Sequence, residues 1–158
     1  MNKGQGGVAI RDVRLRAHHL LCIQGFRGQG YSPQFVANLA RLTHRLRTGS
    51  ELSVRIVAGA DDICFACPHL RTGSCNCPDQ DVCSLDAEVM KKLDIDVGDT
   101  GTWASLLQVI GKKISPDDMN ELCAGCRWND LDYCSGGVEA LKNARPQDAG
   151  APEDPPPA

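Results

Sequence analysis

Two segments of this 158-residue chain carry cysteine at one shared spacing. Cys64, Cys67 and Cys75 form C-x2-C-x7-C, and Cys123, Cys126 and Cys134 repeat it 59 residues later. A C-x2-C turn lets two thiolates converge on one metal, because the residues between them fold into a tight knuckle with backbone N–H groups facing sulfur. The third cysteine can return to the same point after a short loop, and Arg71-Thr72-Gly73-Ser74 reads as such a loop in the first copy. Core filling accounts for isolated buried thiols but not for a duplicated spacing. These six cysteines are the candidate metal and cofactor ligands.

The spacing leaves the metal open. Structural zinc takes four ligands, commonly two C-x2-C pairs, so Cys64, Cys67, Cys123 and Cys126 would form a tetrahedral site. That arrangement gives Cys75 and Cys134 no role. Iron–sulfur clusters also take four thiolates, and each triplet supplies three corners of a four-iron cluster with the fourth ligand from elsewhere. A 4Fe-4S cluster is thus expected ahead of 2Fe-2S, with zinc as the alternative. The spare donors are Cys22, Cys77, Cys83 and the histidines. Cys77 and Cys83 fall outside the repeat and read as incidental.

A second dense segment is Arg16-Ala17-His18-His19-Leu20-Leu21-Cys22. On a helix, His18 and His19 would each share a face with Cys22. That geometry suits a pair of metal ligands, or a thiolate beside an imidazolium. It equally suits histidines bonded at a helix start with the leucines in the core. His18, His19 and Cys22 are therefore further candidates for the metal site. The Gly25–Tyr31 segment that follows has three glycines but matches no phosphate-loop or dinucleotide pattern, and reads as a turn between helices.

The elements that must position these groups are mostly helical. Ser32-Pro33 starts a helix that buries Phe35, Leu39, Leu42 and Leu46 and ends near Gly49. Ser53–Val57 alternates like a half-buried strand. A helix over about 84–93 buries Leu85, Val89 and Leu93. Thr102 caps another that buries Trp103, Leu106, Leu107 and Ile110 and stops at Gly111. Ser115-Pro116 starts a third, with Met119, Leu122, Cys123 and Cys126 along one face. The expected fold is α+β, predominantly helical: one small metal-stabilised domain over 13–143 with a short sheet. Residues 1–12 are expected to be a flexible start, and 144–158 a disordered tail of Pro, Ala and acid.

Composition agrees with a metal-assisted core, since only seven residues are aromatic against nine cysteines. No run of 18 apolar residues exists, so no membrane helix is expected. The start lacks an apolar signal core, which points to the cytoplasm, where thiols stay reduced. Charge is uneven: residues 1–58 carry a net +7 and the rest a net −10. Mutual attraction of the halves within one fold explains this most simply, and an anionic partner is the other reading.

The segments LRAHHLLCIQGFRGQGYSPQFVANL, VAGADDICFACPH and CAGCRW resemble a widespread prokaryotic family of small cysteine-rich proteins with a domain of unknown function. The resemblance spans about residues 13–141. It implies iron–sulfur binding, with Cys22, the six repeated cysteines and the His18-His19 pair as motif positions. The expected function is therefore an iron–sulfur-cluster-binding protein in electron transfer, redox sensing or cluster handling, with a redox partner protein. The alternative is a zinc-stabilised module that contacts nucleic acid or an acidic partner through its basic N-terminal half. Nucleic acid is the less favoured partner. No paired carboxylates, Ser-His-Asp order or cofactor loop points to a named reaction.

Overall fold

In a computed structural model the chain is described at residues 12–49, 51–71, 74–75, 81–126, 128 and 131–143. The expectations for the start and the tail fall outside these residues, apart from Asp12, and so does Cys77.

Short strand β1 (Val13–Leu15) leads into helix α1 (Ala17–Cys22) and a 3-10 turn (Ile23–Gly25). Helix α2 (Pro33–Thr48) then returns the chain to β2 (Ser53–Ile56), which pairs parallel to β1 with Val13 opposite Val54 and Leu15 opposite Ile56. Parallel neighbours need such a helical crossover. β5 (Thr100–Thr102) adds antiparallel to β2, giving a three-stranded sheet of order β1-β2-β5. Alternation decides its faces: Val13, Leu15, Val54 and Ile56 are buried, while Arg14 and Arg55 point outward side by side.

The helices start where the caps place them. The Ser32 side chain accepts from Phe35 N, and Thr102 from Ser105 N at the start of α4 (Trp103–Lys113). Ser115 and Asp118 form a reciprocal capping box on α5 (Pro116–Leu122). Helix α3 (Val82–Leu93) begins two residues earlier than its apolar spacing suggests, because Asp81 accepts from both Cys83 N and Ser84 N.

Two helix ends differ from expectation. α4 runs through Gly111 to Lys113, and at Gly111 the helix lies close against Leu141 of α6 (Tyr133–Asn143). There glycine serves close packing instead of termination. α5 stops at Leu122, so Cys123 caps it and Cys126 lies beyond the helix. Leu15, Leu20, Leu21, Leu42, Ile56, Trp103 and Ile110 lie at the centre of a core built from leucine and isoleucine with one tryptophan. The domain is a predominantly helical α+β fold with a small sheet.

Candidate metal centre

Helix α1 is six residues long, too short to hold its shape alone, and no side chain of its own caps it. Two buried aspartates from elsewhere take over that role. Asp86, on α3, accepts from His18 N at 3.0 Å, from His18 Nδ1 at 2.6 Å and from Arg16 Nε at 2.7 Å. Asp61 accepts from Arg16 N at 2.7 Å and His19 Nδ1 at 2.6 Å on one oxygen. Its other oxygen accepts from Ile63 N and Cys64 N, both at 2.9 Å. Each aspartate thus docks α1 and orients one histidine. The two rings lie side by side with centroids 4.2 Å apart.

Electrostatics keep both carboxylates ionised. Burial alone would raise the Asp61 pKa, but the His19 charge and the hydrogen bonds from His19, Arg16 and Cys64 hold it well below the usual carboxylate range. Burial opposes Asp86 likewise, and hydrogen bonds from His18 and Arg16 outweigh it. Arg16 is itself buried, and its guanidinium is held charged by Asp86 against the cost of that burial. His18 goes the other way: burial and the neighbouring His19 push its pKa down to about 4. A neutral His18 donating Nδ1–H to Asp86 is fixed in one tautomer. Its role is to lock α1 onto α3.

Asp61 also builds the first knuckle. Its bonds to Ile63 N and Cys64 N shape the 3-10 turn Cys64–Ala66, where Cys67 N donates to Cys64 O at 2.8 Å. Past the knuckle, strands β3 (Leu70–Arg71) and β4 (Ser74–Cys75) pair antiparallel, so Arg71 and Ser74, expected in a loop, are strand residues, and the register sets Cys75 opposite Leu70. The Cys75 side chain lies outside the described groups.

A His19 ring nitrogen, an Asp61 oxygen and the buried Cys64 Sγ lie within 4.8 Å of one another. Asp61 already accepts four hydrogen bonds, which uses its lone pairs. It therefore positions His19 and Cys64, and these two are the ones with donor capacity for a metal. A carboxylate behind a ligating histidine is the usual outer-shell arrangement of metal sites.

The second knuckle makes the same turn, with Cys126 N donating to Cys123 O at 2.9 Å. Cys134 is the second residue of α6, and α6 packs on both α5 and the 3-10 turn that follows Cys22. Two glycines set that closeness. A Cβ on Gly25 would overlap Cys134 Sγ and its backbone, and a Cβ on Gly137 would overlap the Gln24 carbonyl.

The result is a group the spacing alone did not reveal. The Cys22 thiol lies within electrostatic reach of Cys134, Cys123, Cys126 and Asp61, and burial together with these neighbours drives its pKa far up. Burial, with Cys134 and Cys126, pushes Cys123 up to about 12. Cys134 reaches about 11 through burial and Cys126, with Arg27 pulling slightly the other way. Cys22, Cys123 and Cys134 carry free thiols. Among the described residues, no three of the four sulfurs lie mutually within 4.8 Å.

Helix α1 thus links the candidate residues, with His19 beside Cys64 and Cys22 within electrostatic reach of Cys123, Cys126 and Cys134. Sequence reasoning missed Asp61 and Asp86. Asp86 sits on the buried stripe Val82-Leu85-Asp86-Val89, and an acid in a core stripe signals a buried partner. Asp61 stands three residues before Cys64, at a capping offset. Cys83 is exposed, with its sulfur 3.9 Å from Arg16 Nη2. The Gly25–Tyr31 segment forms the expected turn, with Gln29 Nε2 donating to Gly25 O and Gln29 Oε1 accepting from Arg27 N. No described helix is long and apolar enough to cross a membrane.

A family model described as "Protein of unknown function (DUF1284)" matches residues 30–132. That range includes the first triplet with Cys123 and Cys126, and leaves His18, His19, Cys22 and Cys134 outside it. No curated protein matches the chain, and no solved structure does.

Proposed function

The chain belongs to this family of unknown function, and we propose that it binds an iron–sulfur cluster through Cys22, Cys123, Cys126 and Cys134. The observation that carries this reading is the packing of α6 on the turn after Cys22, so close that a Cβ on Gly25 would overlap Cys134 Sγ, with Cys22 within electrostatic reach of all three cysteines of the second triplet. Four thiolates are the common ligand set of such clusters, and the second triplet gains its fourth ligand without Cys77 or Cys83.

When bound, the cluster would supply one-electron chemistry. The protein's part would be to hold the thiolates and to tune the potential through knuckle N–H groups and burial. The first knuckle, with Cys64, Cys67, Cys75 and His19, is the candidate for a second metal. Electron transfer, redox sensing and cluster handling are the roles that fit, each with a redox partner protein.

Purification without oxygen, with iron, sulfide and zinc counted per chain, tests the reading. About four irons and four sulfides per chain, in a brown protein, are expected for one such cluster. A colourless protein with stoichiometric zinc overturns it in favour of the zinc-stabilised module.

A further inference from the structure

Away from the thiols, an open cleft of about 500 Å³ lies between α2, β1 and the first knuckle. Arg14, Arg41, Arg45 and Phe65 line it, together with Asn38 and Asp62. Arg41 and Arg45 stand one turn apart on α2, so their side chains project along the same wall.

Cleft charges are not all equivalent. Arg14 is paired with Asp62 at 3.5 Å, and Asp12, also in the lining, pairs with Arg55 at 3.2 Å. Arg41 instead bonds the neutral Asn38 Oδ1 at 2.9 Å. Among the described residues neither Arg41 nor Arg45 meets a carboxylate. Two guanidinium forks on one wall present the planar, multi-donor geometry that suits phosphate oxygens.

Phe65 adds a second and independent feature. It is 82% exposed, in a chain with only three phenylalanines. The ring is not on a loose loop: Phe65 N donates to Asp61 O, and the knuckle is closed by the Cys67 N to Cys64 O bond. Asn38 Nδ2 donates to Asp62 O at 2.8 Å, fastening α2 to this same segment. The fold therefore holds an apolar ring in water beside two arginines that meet no carboxylate among the described residues.

From this juxtaposition we propose that the cleft binds a nucleoside phosphate, with the base stacked on Phe65 and the phosphate held by Arg41 and Arg45. The chemistry is common to a free nucleotide and to a nucleotide within a single strand. Stacking on an exposed aromatic with arginine along the backbone is how single strands are bound without sequence preference. The cleft volume also falls in the range that encloses one small ligand. This site shares no residue with the proposed cluster ligands, so either can fail without the other.

The test uses the full-length protein and three probes: AMP, a short fluorescent oligodeoxyadenylate, and inorganic phosphate. Binding of AMP, with AMP displacing the oligonucleotide, identifies a free nucleotide as ligand. Binding of the oligonucleotide alone, weakening as salt rises, identifies a strand. In either case Phe65→Ala should weaken binding at least about 5-fold. Arg41→Ala with Arg45→Ala should lower the salt dependence of oligonucleotide binding by about one unit of slope. All three residues lie at the surface of the cleft, so melting temperature and iron per chain should stay at the wild-type level. The proposal is overturned if neither AMP nor the oligonucleotide binds. It is equally overturned if phosphate alone binds as tightly as AMP, or if the variants bind like wild type.

Discussion

Gly25 and Cys134 pack so closely that a Cβ on the glycine would coincide with the cysteine's sulfur and backbone. Gly25 follows Cys22 by three residues, so this contact brings the start of α6 to the end of α1. It is the physical reason that Cys22 lies within electrostatic reach of the second triplet.

Replacing Gly25 with alanine should therefore push Cys134 away from Cys22. The expected result for Gly25→Ala is a lower iron content per chain, together with a loss of roughly 1–3 kcal/mol of stability from overpacking. Gly136→Ala is the matched control, since nothing lies within 4 Å of a Cβ there. That change should keep the iron and stabilise α6 by up to about 1 kcal/mol, the usual gain of alanine over glycine in a helix. Equal iron in both variants would detach the packing from the site.

Asp61 holds four donors at once, one from β1's end, one from α1 and two from the first knuckle. Asp61→Ala leaves those buried donors without an acceptor. The expected cost is about 3–5 kcal/mol, the range for removing one partner of a buried charged network. Urea unfolding measures it, and a loss below about 1 kcal/mol would show that the network is not what anchors α1.

Acid stability should report His18. Its folded pKa of about 4 lies below the ordinary value of 6.5. Between those values the unfolded chain binds a proton that the folded chain does not, so stability is full above about 6.5 and falls as pH drops toward 4. The loss is on the order of 3 kcal/mol and levels off below that window. The lowered pKa values of Asp61 and Asp86 act at still lower pH and with the same sign. His18→Gln should flatten the curve between pH 6.5 and 4. A variant curve as steep as wild type would assign the dependence to other groups.

Metal loading should itself depend on pH. Burial and neighbouring thiols hold Cys22, Cys123 and Cys134 protonated in the metal-free chain. A metal must displace those protons, so affinity rises with pH. With zinc as a probe ion and the metal-free protein in weak buffer, binding should release about three to four protons per site. Release of fewer than two would mean that the grouped thiols are not the ligands.

Much of the scaffold could be read from residues alone. Ser32-Pro33, Thr102 and Ser115-Pro116 mark helix starts because a side-chain oxygen three residues ahead of an N–H satisfies it locally. The alternation of Val54 and Ile56 marks β2 for an equally local reason. The duplicated spacing also carried over, since both knuckles close with the same backbone hydrogen bond. What spacing could not show is held by contacts between distant segments. Asp86 lies 68 residues from His18, and α6 brings Cys134 against the turn after Cys22 only because Gly25 and Gly137 let it approach. Gly111 misled for the same reason: a glycine reads as a helix stop unless the neighbour packed on it is known.

Cluster binding at the second triplet depends on Cys22 as its fourth ligand. Iron and sulfide per chain, measured after anaerobic purification of Cys22→Ser and Cys83→Ser beside the wild type, test that claim. The expected result is loss of most iron and of the visible absorbance in Cys22→Ser, with Cys83→Ser unchanged. Full iron in Cys22→Ser would contradict it.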